Sequence, residues 1–570
     1  MSDFTQPTQW IQRVAIGATM PGRFRESINA AIRYAMKKVV FAVVLFLSVQ
    51  FLFAQQNVIL IIADDMGTDY CGFYDDGLDT AKMPNLRALL ARGVRFKTAW
   101  SLPVCSPTRA AILTGRYPFR TGVGTVITGP NNGQLDTSEL SIGKLLKYAA
   151  PVKYATANIG KWHLHTSTAA NRNHPSVMGY DHYSGNFIGQ VNDYFNWTKI
   201  VDGAAPVTVT NYATTEQVND AIEWLESLDG TKPFFLWQAF NAPHFPFHLP
   251  PDSLHTVPGL TGTAQDIMAK RPEYYKAMME AMDTELGRLF QWLEAHGMLD
   301  NTNIIFIGDN GDDERITQFP NPSRTKSTIY ENGVHVPMII AGPAVNAPNR
   351  VSDAIVSTPD LFATILELAG FSDWETHIPA DKPVDAVSLM PILKNEGGAV
   401  REWIFTEVFD PVSMPDDGKA IRDLEYKLLR FDDGHQEFYR IATDPEELDN
   451  LLLQLLLSTE AQNHYLILCN ALSNLIGSAA CLPSVGVSAI SEQGEIFLIP
   501  NPATGVLSIG FGEGKPIVSG EVFDSGGRSV LRFNQLVHGS LDIFGLHAGS
   551  YLLTMQDASG HRFHARFVKI

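Results

Sequence analysis

Asn57-Val-Ile-Leu-Ile-Ile-Ala63 runs without a charge into Asp64-Asp65-Met-Gly67. Successive apolar residues on a strand point to opposite faces, so this strand needs cover on both, the situation of a parallel sheet between two layers of helices. Residues 303–308, Asn-Ile-Ile-Phe-Ile-Gly, repeat the pattern and end in Asp309-Asn310-Gly311. Further apolar runs at 152–159 and 234–240 alternate with amphipathic stretches such as 140–148 and 274–295. The alternation predicts an α/β fold with a large, buried, mainly parallel sheet flanked by helices. Ligands of such sheets gather beyond the carboxyl ends of the strands, and each of these four runs ends in side chains capable of chemistry.

Two of the runs deliver adjacent hard oxygen ligands, which suit Ca²⁺ or Mg²⁺ rather than zinc. One Asp pair after a strand could equally cap the next helix; two such pairs in one chain favour a metal. Asp312 and Asp313, which follow closely, are expected to be solvated loop residues. The other two runs lead to Gly160-Lys161-Trp-His163-Leu-His165 and Asn241-Ala-Pro-His244. Lysines and histidines beside a divalent cation are what an oxyanion substrate needs, with cations for its oxygens and an imidazole for a proton. Each histidine taken singly would also suit a loop hydrogen bond. Pro103-Val-Cys105-Ser-Pro107-Thr-Arg109 sets Cys105 at a helix start, where free N–H groups and the dipole favour negative charge. A buried, small apolar role is the alternative for this cysteine. Residues 82–120 hold eight basic and no acidic side chains, so the surroundings of Cys105 are expected to be locally positive.

Cys105-x-Pro107-x-Arg109 with Leu113-Thr-Gly-Arg116 resembles the signature of type I sulfatases, formylglycine-dependent members of the alkaline phosphatase superfamily. The remaining motifs follow in that family's order: Asp64-Asp65, Gly160-Lys-Trp-His, Asn241-Ala-Pro-His, Asp309-Asn310-Gly, and Lys326 ahead of Tyr330-Glu-Asn-Gly-Val-His-Val-Pro337. The stretch Phe438-Tyr-Arg-Ile-Ala-Thr-Asp-Pro-Glu-Glu-Leu-Asp-Asn-Leu451 resembles the family's closing subdomain. The resemblance implies an alkaline-phosphatase-like catalytic α/β domain at 55–395 and a smaller antiparallel-sheet subdomain at 396–480. It implies that a formylglycine-generating enzyme matures Cys105 to Cα-formylglycine, and that Asp64, Asp65, Asp309, Asn310 and the modified Cys105 hold one Ca²⁺. It further implies attack of the hydrated aldehyde on sulfur with Asp309 as proton acceptor. His244 and Lys326 would serve the leaving oxygen, and His163 the return to aldehyde. Lys161 and Lys326 would hold sulfate oxygens, and Arg109 would orient the diol. The implied substrate is a sulfated carbohydrate or an aryl sulfate. The alternatives are a phosphodiester or phosphonate monoester hydrolase of the same superfamily and a catalytically dead glycan-binding surface protein. The chain departs from the pattern at His165, where the family has Gly, at His335, where Arg precedes Val-Pro, and at Thr108, where Ser or Ala is commoner.

The composition fits this reading. At 45% hydrophobic and 18% charged residues, with a net charge of −18, the chain is no disordered, collagenous or coiled-coil protein. The acidic balance argues against a nucleic-acid partner. Its four cysteines are too few for a disulfide scaffold and lack zinc-site spacing. Cys469 and Cys481 are expected to pair in an exported chain, and Cys71 to be a buried thiol. Residues 36–54 read as a signal peptide: Met-Lys-Lys, an apolar run shorter than the ~20 residues of a membrane span, and a small residue at the cut. No permanent membrane span is expected. Residues 1–35 read as a misassigned upstream start, with translation beginning at Met36. Loss of 1–54 removes six basic and two acidic residues, leaving 37 against 59 and a net charge of −22.

At the other end, a linker at 481–494 precedes short β-type runs separated by Gly turns at 495–570, which predict a β-sandwich. Pro500-Asn-Pro-Ala, Asp524-Ser-Gly-Gly-Arg and Leu546-His-Ala-Gly-Ser-Tyr-Leu-Leu resemble the C-terminal sorting domain of type IX secretion cargo. This implies secretion machinery as a partner and a secreted or cell-surface location; a carbohydrate-binding module is the alternative. Leucine-rich 451–457, continuing towards 480, is predicted to be a packing helix. Tyr180, Tyr183, Phe187, Tyr194, Phe195 and Trp197 suit either a sugar-binding rim or ordinary loop packing.

Overall fold

The strands that end in chemistry lie side by side. The computed structural model describes Met36, residues 55–129, 132–411, 417–454 and 457–477, and most of 496–569. Residues 1–35, the rest of the expected signal peptide, the 481–494 linker and Cys481 lie outside the described residues. Strands β1 (Asn57–Ala63), β2 (Gly93–Trp100), β3 (Ala155–Gly160), β4 (His182–Gly185), β5 (Trp197–Val201), β6 (Val207–Val209), β7 (Phe234–Ala239), β8 (Thr302–Gly308), β9 (Met338–Ala341) and β10 (Arg350–Ser357) form one 10-stranded sheet. Their order is β10-β2-β9-β8-β1-β7-β3-β4-β5-β6. The centre, β8-β1-β7-β3-β4, is parallel, while β9 enters antiparallel between β2 and β8.

The two-sided burial of β1 follows from its sequence. Val58, Leu60 and Ile62 enter one core cluster and Ile59, Ile61 and Ala63 the other. The first is closed by helix Asp360–Leu368 and the second by helices Ala213–Ser227 and Arg271–Ala295. Each fully buried Leu or Ile contributes about 1.5–3 kcal/mol of transfer free energy, enough to fix β1 centrally. The predicted 140–148 helix is a short turn, Ile142–Lys144, widening into a π-helical turn, Leu145–Ala149.

A second sheet, antiparallel, comprises β11 (Ile404–Val408), β12 (Gly418–Arg422), β13 (Lys427–Phe431) and β14 (Gln436–Tyr439). It is tied to the first through buried ion pairs: Arg422 to Glu331 at 2.8 Å and Lys427 to Glu447 at 2.8 Å, with Glu447 accepting the Glu331 N–H. The leucine-rich segment does not make one helix. A single 3₁₀ turn, Leu451–Leu453, is followed by helix Thr459–Ile476, whose start is set by Ser458 accepting the Ala461 N–H at 3.1 Å. Cys469 on that helix is a disulfide cysteine, while Cys71 and Cys105 are free thiols.

Glu407 of β11 is buried, with one oxygen accepting the Phe119 N–H at 2.8 Å and the other unpartnered. Burial, only partly opposed by Lys419, pushes its carboxyl up to about 7. A raised folded-state value means that stability is greatest below the unfolded value near 4.5 and is lost as pH rises from there through 7, by about 3 kcal/mol in all. Glu407→Gln should therefore flatten the fall in melting temperature between pH 5 and pH 8; an unchanged slope would refute this assignment.

Residues 496–569 form two facing antiparallel sheets around a shared core. One contains β15 (Ile496–Ile499), β16 (Val506–Phe511) and β19 (Ser540–Asp542). The other contains β17 (Ile517–Phe523), β18 (Ser529–Phe533), β20 (Gly549–Asp557) and β21 (Arg562–Lys569). This is the expected β-sandwich. No helix among the described residues is long and apolar enough to cross a membrane.

Candidate active site

Register brings the four motif-bearing strands to one level. Ala63 of β1 pairs with Gly308 of β8, Ile62 with Ala239 of β7, and Ala239 with Gly160 of β3. Asp64, Asp309, Lys161 and the Asn241–His244 loop therefore leave the sheet together. Gly160 must be glycine: its φ is +104° and a Cβ would stand 1.9 Å from the Ala239 carbonyl oxygen. From the other side comes helix Cys105–Thr114, all of whose residues are buried, with Cys105 as its first residue. The Ser327 N–H donates to the Pro103 carbonyl at 2.8 Å, which seats Lys326 beside the start of that helix.

Ligand atoms of Asp64, Asp65, Cys105 and His244 all lie within 4.8 Å of one another, a grouping able to hold a metal ion. Around them Lys161 Nζ donates to both Asp64 oxygens at 2.7 Å, and Lys326 Nζ lies 2.6 and 2.7 Å from those of Asp65. Arg109 donates twice to Asp309 Oδ2, at 2.7 and 3.1 Å. Asn310 donates to Asp65 Oδ1 at 2.8 Å and leaves its own buried Oδ1 without a partner. Three carboxylates thus face three permanent cations, and a divalent ion added to this balance leaves the floor positive, as an anionic substrate requires. Asp65, His163 and Ser327 have φ of 59°, 53° and 75°; such strain in non-glycine residues gathers at functional sites.

Burial pushes the Cys105 thiol up to about 12 against the pull of Lys161 and Lys326, so it stays protonated near neutrality. Burial also raises the Asp64 carboxyl despite Lys161. Burial alone would raise Asp65 and Asp309 too, but the Lys326 and Lys161 ammonium groups hold Asp65, and Arg109 and Lys161 hold Asp309, below the usual carboxylate range. His244 is brought down to about 3 by burial. Its Nδ1 lies 2.6 Å from the Phe245 carbonyl, which can only accept, so Nδ1 is assigned the proton and the bare Nε2 faces Asp65 at 3.5 Å. His163, lowered by burial, Lys161 and Arg109, has a buried Nδ1 with no partner. Above the cluster opens a cavity of 920 Å³ lined by Cys105, His163, His244 and Lys326 among others.

The structure thus brings together every expected site residue: Asp64, Asp65, Cys105, Arg109, Lys161, His163, His244, Asp309, Asn310 and Lys326. Elsewhere the structure decides between readings the sequence left open, and corrects two expectations, the positive surroundings of Cys105 and the solvated Asp312. Five of the six candidate rim aromatics are buried and pack internally; only Phe195 is exposed, at 40%. Tyr183 lies edge-on to Phe187, and Tyr194 has a further role, its hydroxyl contacting the Asn241 and His244 carbonyls at 2.6 and 2.7 Å. His165 packs on His174 with ring centroids 4.5 Å apart rather than lining the cavity. His335 takes a backbone bond to Lys97, and Thr108 bonds the Leu102 backbone at the helix start. The basic stretch 82–120 does not surround Cys105. Arg92 pairs with Asp300, Arg116 with Glu139 and Arg120 with Asp385, leaving Arg109 as its contribution to the cluster.

Asp312 is fully buried, not solvated: it accepts the Gly67 N–H at 2.6 Å and the Tyr275 hydroxyl at 2.8 Å, and Tyr275 also reaches the Asp65 carbonyl. Neither residue carries a sequence signal, because Tyr275 sits on the helical pattern of 274–295 like any core residue. Asp312→Ala strands the buried Gly67 N–H, while the Tyr275 hydroxyl keeps the Asp65 carbonyl, and should cost about 1–3 kcal/mol, read as a lower urea midpoint; an unshifted midpoint would contradict this clamp.

Comparison with known proteins decides the family. Residues 56–371 match the sulfatase family model, 324–464 the N-sulphoglucosamine sulphohydrolase C-terminal model, and 497–569 the secretion system C-terminal sorting domain. The chain belongs to the sulfatase family. Among sulfatases of known sequence, human N-acetylgalactosamine-6-sulfatase is 29% identical over 370 residues, covering 59% of this chain. The chain spans 65% of that enzyme's length. The uncharacterized sulfatase YdeN of Escherichia coli is 27% identical over 416 residues, covering 63% of this chain and 70% of its own. Among sulfatase structures, the crystal structure of Ps i-CgsB in complex with k-i-k-neocarrahexaose superposes with a TM-score of 0.60 and 25% identity, covering 74% of this chain and 93% of that one.

Proposed function

We propose that this sulfatase-family protein is an exported hydrolase of sulfate esters, acting on a sulfated saccharide or aryl sulfate through residue 105 matured to Cα-formylglycine. The observation that carries the reading is the convergence of Cys105 with Asp64, Asp65 and His244 among Lys161, Lys326 and Arg109 at the floor of one cavity. A single Ca²⁺ fits the residues present. The donors are mainly hard oxygens, and the buried, unpartnered Asn310 Oδ1 is an acceptor in search of a cation. Asp64, Asp65, Asp309, Asn310 and residue 105 would hold it.

When in place, the hydrated aldehyde supplies an oxygen nucleophile and the ion stabilises charge on the sulfate oxygens. The chain's own residues do the rest. Lys161 and Lys326 bind sulfate oxygens, and Arg109 fixes Asp309, which takes the proton from the nucleophile. Lys326, held in its protonated form beside Asp65, supplies the proton at the leaving oxygen, and His244, whose Nε2 carries no proton of its own here, positions that oxygen beside it. His163, with its unpartnered Nδ1, serves the proton transfer that releases sulfate. The unionised thiol at 105 also supports maturation, since an unmodified Cys105 would be a poor nucleophile here.

The 497–569 sorting domain supports export by type IX machinery after removal of a 36–54 signal peptide. The test is the mass of the Cys105 peptide from the exported protein together with turnover of an aryl sulfate and an aryl phosphodiester. Conversion of CH₂–SH to CHO and preference for the sulfate are expected; an intact thiol with no turnover, or preference for the phosphodiester by orders of magnitude, would overturn the reading.

A further inference from the structure

The cavity over the site carries an unequal set of charges. Lys326 is the one Lys or Arg among its described lining residues, and it is tied to Asp65. Against it the lining includes Asp313, Glu314, Asp410 and Asp417. Asp313 is neutralised by Arg315, two of whose nitrogens lie 2.6 Å from its oxygens. Glu314 is exposed and Asp410 half-buried, and the Asp410 N–H donates to Asp417. The rest of the wall is uncharged, with hydroxyl and amide groups such as Thr128, Gln190 and Asn192 beside apolar Ile188 and Phe245. His163, one of the lining residues and only 3% exposed, independently offers a buried Nδ1 without a partner, a polar group for a ligand to satisfy.

We propose that Glu314 and Asp410 make this cavity a filter for singly charged sulfate esters. Floor and wall then ask for different things of one substrate. The floor collects a single sulfate, while the acidic part of the wall repels a second anion on the alcohol portion and the neutral part accepts hydroxyls, amides or an apolar ring face. The favoured substrate class is a monosulfated unit whose leaving portion is neutral or carries an amine, and the disfavoured class is a sulfate ester bearing a further sulfate or a carboxylate. The proposal rests on the sulfatase reading above. Two carboxylates at several ångströms from a second anion, in a partly solvated cavity, are enough for about a tenfold effect.

Two aryl sulfates that differ only in a ring carboxamide or a ring carboxylate test it with the full-length matured protein. The carboxamide should be favoured at least about tenfold in kcat/KM at low salt, with the ratio falling severalfold at about 0.5 M salt as the repulsion is screened. Glu314→Gln with Asp410→Asn should raise the carboxylate substrate relative to the carboxamide by about fivefold. Should that variant not fold, the salt dependence of the wild-type ratio decides alone. Equal turnover of the pair with a salt-independent ratio would overturn the filter and leave the sulfatase reading standing. Hydrolysis of neither would overturn that reading and the filter with it.

Discussion

Cys105→Ala is expected to lower kcat on any sulfate ester by about 10⁴-fold or more while the thermal unfolding curve changes little. The two readouts separate because the side chain contributes little to packing: it is small and stands at the first residue of its helix. Helix Cys105–Thr114 is held instead by Thr108 on the Leu102 backbone and by the Ile112 and Leu113 side chains in the core. Chemistry, by contrast, has no substitute at this position. Among the groups clustered with Sγ within 4.8 Å, Asp64 and Asp65 are engaged by lysines and His244 has its Nδ1 committed to a carbonyl. Activity within a few-fold of wild type would remove residue 105 from the mechanism.

If the proposed Ca²⁺ is held at this site, chelation should be nearly as damaging to turnover, by at least about 10³-fold, and readily reversed by Ca²⁺ but not by Zn²⁺, which prefers nitrogen and sulfur donors. The fold should survive, with the melting temperature lowered by only a few degrees. The reason is that each carboxylate of the cluster already has a cation at hand: Lys161 on Asp64, Lys326 on Asp65 and Arg109 on Asp309, all within 2.7 Å. Like-charge repulsion among the three is therefore compensated locally, whereas no protein cation can take the place of a divalent ion that polarises a sulfate oxygen. Activity unchanged after exhaustive chelation would exclude a metal from the reaction.

Much of this site is legible in the chain. The apolar runs state that their strands are buried on both faces, and the residue types that follow each run state what arrives at its carboxyl end. Asp64-Asp65, Lys161 to His163, His244 and Asp309-Asn310 are found on that argument, since a strand's terminal residues travel with the strand. The Cys105 motif is found because the prolines around it mark a helix start, which the structure puts at Cys105 itself. The β-sandwich of 496–569 is legible for the same local reason, each strand being bounded by its own glycine turn.

Partner choice across the fold is not legible in this way. Eight basic residues crowded between 82 and 120 suggest a positive field around Cys105. The chain instead carries Arg92 to Asp300, Arg116 to Glu139 and Arg120 to Asp385, and the cations that remain in the cluster are Arg109, Lys161 and Lys326. Asp312 reads as a solvated loop residue until Gly67 and Tyr275 are brought against it. Tyr194 looks like a sugar platform until it is buried under the His244 loop. Sequence alone determined the buried strands and what chemistry each presents at its end, because period and apolar runs act over a few residues, though not the helices expected at 140–148 and 451–480. Only the tertiary structure decided which charges meet, which stay free and which line the cavity. Ion pairing and burial depend on distances between residues about 200 positions apart, such as Arg109 and Asp309, and those distances are set by strand order and register rather than by any local run of the chain.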